Sequence, residues 1–185
     1  MFSSYKSLVR RLLYRHQKKR NISTCLKAGI KGFITIGFVA AIGYLSEIPL
    51  IAAPFGATCI SLYVRPSDEF SQPINIIGGY FISTMSSIIL MEIFPYEWWL
   101  VALMLGTSIT AMAYLRVTHP SAGSVPLLIF YLHKDAGFEF LISTILAGSI
   151  ALVAFAYLLH RLSPARRSYP NRLPGESPIL ESKAK

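Results

Sequence analysis

The chain is poor in acid and poorer in cysteine. Asp and Glu together number nine and Cys two among 185 residues, and charged residues of both signs make up 15%. Residues 1–31 hold Lys6, Arg10, Arg11, Arg15, Lys18, Lys19, Arg20, Lys27 and Lys31 and not one acid. Two thiols, Cys25 in the basic arm and Cys59 in an apolar segment, cannot make a disulfide framework and are not expected to meet. His16, His119, His133 and His160 show no ligand spacing and no Cys or acid partner, so no metal site is expected. Ser61, Ser83, Ser86 and Ser87 lack a nearby His or Asp, which argues against an enzyme. No cofactor motif is present. Basic and aromatic residues are not interleaved as in a nucleic-acid binder. The arm has no small-residue cleavage pattern, which excludes a secretory signal and leaves an organelle transit peptide as an alternative.

What the chain has instead is apolar length. Hydrophobic residues make up 53% and mean hydropathy is +0.49. Uncharged runs cover Gly32 to Ser46, Ile48 to Val64, Phe70 to Met91, Trp98 to Leu115, Thr118 to Leu132 and Phe140 to Leu159. A spanning helix needs roughly 20 apolar residues, and the first run reaches that if Lys31 snorkels to the interface. The runs have no polar face, so a soluble core is excluded. The expected fold is an all-α polytopic membrane protein. It divides into a basic arm (1–27), a membrane domain (28–162) and a flexible cytoplasmic tail (163–185) rich in Pro.

Basic flanks stay in the cytoplasm, so both ends face it and the number of crossings is even. Six crossings put Arg65 and Arg116 inside and Glu92 and Glu97 outside, with only Lys134 misplaced. The alternative, four spanning helices with two re-entrant segments, puts Arg65, Arg116 and Lys134 outside. The charge rule favours six, arranged as a 3+3 inverted repeat with the second and fifth segments broken. A bacterial inner membrane suits this arrangement; an organelle membrane is the alternative. Trp98, Trp99 and Tyr96 read as an interfacial belt.

The repeat is visible in two motifs 66 positions apart, Pro54-Phe55-Gly56-Ala57-Thr58 and Pro120-Ser121-Ala122-Gly123-Ser124. Paired, interrupted apolar segments in two halves of a chain mark transporter binding sites. Helices from Pro54 to Val64 and from Pro120 to Leu132 are about 16 and 20 Å long at ~1.5 Å per residue, too short for a core of about 30 Å. Extended chain, Ile48–Ala53 and Val117–His119, must supply the rest, and the two N-termini are expected to meet near the midplane. Free N–H groups at helix starts bind anions. The expected site is therefore Pro54, Gly56, Ala57, Thr58, Pro120, Ser121, Ala122, Gly123 and Ser124. His119 joins it as a proton carrier or a hydrogen-bond donor to the anion, or else caps a helix at the interface. Asn75 suits a helix start and Gly78-Gly79 close helix packing. Gly32, Gly37 and Gly43 read as packing positions.

At these motifs the sequence resembles the HPP family of integral membrane proteins. The likeness runs from about Lys27 to Arg161. It rests on Ala53-Pro54-Phe55-Gly56-Ala57-Thr58, Gln72-Pro73-Ile74-Asn75-Ile76-Ile77-Gly78-Gly79 and Thr118-His119-Pro120-Ser121-Ala122-Gly123. The family's His-Pro-Pro reads His119-Pro120-Ser121 here, and a His that often follows the Gly pair is Tyr80. The family is usually described with four membrane helices, a count the charges contest. Some plant and cyanobacterial members are associated with nitrite transport, which the resemblance makes a substrate to consider. The expected function is a transporter or channel for a small inorganic anion. A non-transporting membrane sensor or anchor is the alternative. Expected partners are the lipid bilayer, the small anion and, in a homo-oligomer, further copies of the chain, with no nucleic acid.

Overall fold

The computed structural model describes residues 13–14, 17, 19–48, 50–132, 138–163 and 169–171. Lys134, most of the basic arm and most of the tail lie outside the described residues. Helix α1 is Ile22–Ser46. It starts at Ile22 because Asn21 is extended and its side-chain oxygen accepts the Ser23 N–H at 3.2 Å, filling an orphan donor of the first turn. The end of the basic arm therefore already belongs to the helix. The helix stops at Glu47, which is left-handed (φ 57°), and Ile48 N–H closes the turn on the Gly43 carbonyl at 3.1 Å.

Five more helical rods follow. Helix α2 is Pro54–Val64, a 3₁₀ turn occupies Glu69–Ser71, α3 is Pro73–Ile93 and α4 is Leu100–Tyr114. A 3₁₀ stretch, Pro120–Ser124, leads into α5, Val125–Leu132. The last rod is one helical turn at Phe138–Phe140, a π-helical stretch at Leu141–Ala147 and α6, Gly148–Arg161. Three rods, Ile22–Ser46, Pro73–Ile93 and Ser143–Arg161, are long and apolar enough to cross a membrane; Pro54–Val64, Leu100–Tyr114 and Pro120–Leu132 are shorter apolar helices. Among the described residues there is no strand. The all-helical membrane architecture expected from composition is thus present.

The second and fifth rods are short, as their prolines imply, but so is the fourth. Helix α4 has 15 residues, about 22 Å at ~1.5 Å per residue. It ends early because Arg116 turns left-handed (φ 58°), with Val117 N–H on the Met112 carbonyl and Arg116 N–H on the Ala113 carbonyl. This is a Schellman stop with Arg in the place glycine usually takes.

Cross-links sort the chain ends into two ends of the bundle. Arg20 and Thr24, at the start of α1, line one cavity with Tyr63 and Val64, at the end of α2. His160, near the end of α6, bonds the Leu62 carbonyl at 3.0 Å, and Asn171 beyond it bonds Ser67 and Gln72. Asn75, at the start of α3, donates to the Thr118 carbonyl at 3.1 Å. All of these share one end. At the other, Tyr96 stacks on Phe130 and donates to its carbonyl at 3.0 Å. Helix α1 is mostly uncovered, with Phe33 81% and Tyr44 86% exposed, as an apolar face turned to lipid would be.

Candidate functional site

Glycines decide where the extended chain runs. A Cβ on Gly79 would lie 2.8 Å from His119 Cβ and 2.9 Å from the Val117 carbonyl, and one on Gly78 would lie 3.1 Å from the Val117 side chain. The 117–119 segment therefore lies directly on α3, in a groove that only glycine leaves open. Where close helix contact was expected at Gly78 and Gly79, the partner found is this chain segment. Asn75 holds the same segment through the Thr118 carbonyl. Of the glycines read as packing positions in α1, Gly43 sits tight under the Ile48 carbonyl, Gly32 makes ordinary contact with Cys59, and Gly37 faces open space.

This placement buries His119 completely. Its Nδ1 lies 2.8 Å from the Phe70 carbonyl and its Nε2 lies 2.8 Å from Thr58 Oγ1, while Thr58 Oγ1 is 2.7 Å from Tyr80 Oη. The proton directions follow. A carbonyl only accepts, so Nδ1 carries hydrogen. In the neutral ring Nε2 then accepts from Thr58, and Thr58 accepts from Tyr80. A single chain of donors thus runs from Tyr80 through Thr58 and His119 to Phe70. It joins α3, α2, the segment before α5 and the 3₁₀ turn. Tyr80 also packs edge-on against His119, with centroids 5.4 Å apart. Removing one member of such a buried set costs about 1–3 kcal/mol through the partner left unpaired.

The structure brings together Thr58 and His119 from opposite halves, so the two broken segments meet at their N-terminal ends. The other motif residues divide. Pro54, Ser121 and Ala122 are buried; Gly123 is half-buried; Gly56, Ala57, Pro120 and Ser124 are exposed. Ser124 donates to the Ser121 carbonyl within its own turn. The first-turn amides face inward: Phe55 N–H reaches the Ala52 carbonyl at 2.9 Å, Gly56 N–H the Ala53 carbonyl at 3.3 Å and Ala122 N–H the His119 carbonyl at 3.0 Å. Gly56 has nothing within 4 Å of an added Cβ, and Gly123 only Leu105 at 3.9 Å.

Sequence reasoning missed two things. Tyr80, which departs from the resembled pattern, is a working member of the chain. It also begins a stripe, Tyr80, Ser83, Thr84 and Ser87, that is wholly buried along one face of α3. Ser83 donates to the Ala122 carbonyl at 2.8 Å and so pins the start of the fifth rod. The i, i+3, i+4, i+7 spacing of hydroxyls was the signal. Thr144, in the π-helical stretch, is buried, and its hydroxyl has no hydrogen-bond partner among the described residues. Among the described residues no group of His, Cys, Asp and Glu could hold a metal ion. At the end of the bundle that holds the start of α1 and the end of α6, Tyr169 is buried beside His160, and burial pushes its phenol pKa above the ordinary value. Cys25 and Cys59, expected to stand apart, line one cavity there as free thiols.

The HPP transmembrane region matches residues 17–170. A transmembrane protein of Dictyostelium discoideum is 24% identical over 131 residues, covering 68% of this chain and 46% of the relative. The chain thus spans about half the length of that relative. No solved structure matches.

Proposed function

The chain belongs to the HPP transmembrane family, and from that premise we propose that it is a transport protein, not an enzyme, that carries a small inorganic anion, nitrite among the candidates. The observation that carries the reading is the Thr58–His119 bond: two interrupted rods meet by their N-terminal ends at a buried polar junction inside an apolar bundle. Such junctions are how transporters present backbone donors to an anion. In the arrangement described, the hydrogens of His119, Thr58 and Tyr80 and the Phe55, Gly56 and Ala122 amides are spent within the chain. It is therefore the closed arrangement, and an anion enters by drawing those donors away.

The same proposal includes the 3+3 inverted repeat. Helix α1 packs on α2 and α6 as α4 packs on α5 and α3, and α3 packs on the rod that contains α6. The end holding the start of α1 and the end of α6 carries Arg20, Arg65, Arg116 and Arg161, and the opposite end carries Glu47, Glu92, Glu97 and Glu139. The basic end is the cytoplasmic one. Nitrite, nitrate, chloride and formate flux into liposomes holding the purified chain is the test. Saturable flux of at least one anion is expected, lost in Gly56→Val/Gly123→Val. Normal flux in a correctly inserted double mutant would falsify the paired-terminus site. No flux of any anion leaves the sensor or anchor reading standing.

A further inference from the structure

The cavity between α1 and α2 is separate from the Thr58–His119 junction and is open to the side. Its volume is about 340 Å³, and Arg20, Thr24, Cys25, Ala28, Gly29, Gly32, Cys59, Ile60, Tyr63 and Val64 line it. Arg20 supplies a charged group and Thr24 a hydroxyl; most of the remaining lining is apolar. Gly29 has nothing within 4 Å of an added Cβ, and Ile60 is 63% exposed, so the groove faces the surrounding lipid. From the start of α1 at Ile22 to Gly32 it runs beside about 15 Å of the helix at ~1.5 Å per residue, the depth of one leaflet of a core of about 30 Å.

We propose that this groove seats one anionic phospholipid of the cytoplasmic leaflet, its phosphate on Arg20 and one acyl chain laid over Ala28, Gly29 and Gly32 against Ile60 and Val64. Charge decides the occupant. Arg20 lines the cavity, Lys19 and Lys27 flank lining residues in the sequence, none of the lining residues is acidic, and Asp68, beyond the end of α2, is paired with Arg65 at 3.0 Å. A zwitterionic headgroup would meet a base with no acid to hold its amine. The absence of side chains at positions 29 and 32 makes room for the acyl chain, which explains why these two glycines of α1 are not pressed against a neighbour.

Native mass spectrometry of the purified full chain, released from nanodiscs of mixed phosphatidylglycerol and phosphatidylcholine, tests the site. One phosphatidylglycerol retained per chain is expected, with Arg20→Gln lowering the preference for it over phosphatidylcholine about fivefold, the weight of a single base near a membrane surface. Gly29→Phe fills the groove and should remove both lipids while the chain stays folded by circular dichroism. In a Cys25→Ser background, phosphatidylglycerol should slow alkylation of Cys59, and Gly29→Phe should abolish that dependence on lipid. Equal retention of the two lipids overturns the proposal, as does unchanged preference in Arg20→Gln. Lipid-free dimers in place of lipid-bound chains also overturn it and make the groove an interface between copies. None of these readouts involves anion flux.

Discussion

Glu47 ends α1 and Arg116 ends α4, and among the described residues only these two place a non-glycine side chain on left-handed backbone. They are 69 positions apart, as are Gly79 and Gly148. Each glycine takes the extended chain that leads into the other half's broken rod. Gly79 lies under Val117 and His119; an added Cβ on Gly148 would meet the Leu50 carbonyl and Phe55 Cε2, the latter at 2.6 Å. The prolines are 66 apart because Ile48–Ala53 is three residues longer than Val117–His119. The chain thus uses one backbone device twice, at opposite ends of the bundle, with acid at one stop and base at the other. They differ in chemistry. The segment before α5 brings Thr118 and His119 onto Asn75, Thr58 and Tyr80, whereas Leu50, in the segment before α2, and Phe55, in α2 itself, close on Gly148. The polar junction thus forms where the chain crosses Gly79, and apolar contacts form where it crosses Gly148.

The largest effect should come from the glycines that both halves share. Gly79→Ala and Gly148→Ala each force backbone to move and should cost about 1–3 kcal/mol, read as the loss of thermal stability in detergent. Comparable losses support the pairing; a silent Gly148→Ala breaks it.

Next come the polar groups that meet at the Gly79 crossing. Thr58→Val leaves His119 Nε2 without its donor and should cost about 1–3 kcal/mol, with Thr58→Ser recovering most of it. Ala53→Ser, at the position that the 66-residue offset places opposite His119, should stay within about 0.5 kcal/mol because Ala53 is exposed. In flux assays His119→Gln distinguishes a proton carrier, whose pH dependence would disappear, from a neutral donor, whose pH dependence would persist.

Relieving the stops should give a smaller gain. Arg116→Gly and Glu47→Gly each remove left-handed strain of about 1–2 kcal/mol, partly offset by glycine's freedom in the unfolded chain. Equal stabilisation by the two sharpens the comparison. Orientation separates them: cysteines at Asp68 and Tyr96 should label from the cytoplasmic and the opposite side, respectively, and the reverse result restores four spans. The smallest change should be Gly56→Ala and Gly123→Ala, within about 0.5 kcal/mol since neither added Cβ is crowded. A fall in anion flux without a fall in stability would tie both to the transport path.

Composition and segment length determined the membrane class, the six apolar rods and the two proline breaks, because each is a property of a short stretch of chain. The glycine pair at 78–79 and the hydroxyl stripe from Tyr80 to Ser87 were also legible, since helical periodicity puts them on set faces. The early stop of α4 was not, because Arg116 carries no local signal for left-handed backbone. Nor could the sequence show that the donors at the two breaks turn inward on one another, that Tyr80 completes their chain, that Cys25 and Cys59 share a groove, or that Tyr169 packs on His160. Those depend on which rods lie side by side. In an apolar bundle, only the packed structure decides which carbonyl takes each buried hydrogen.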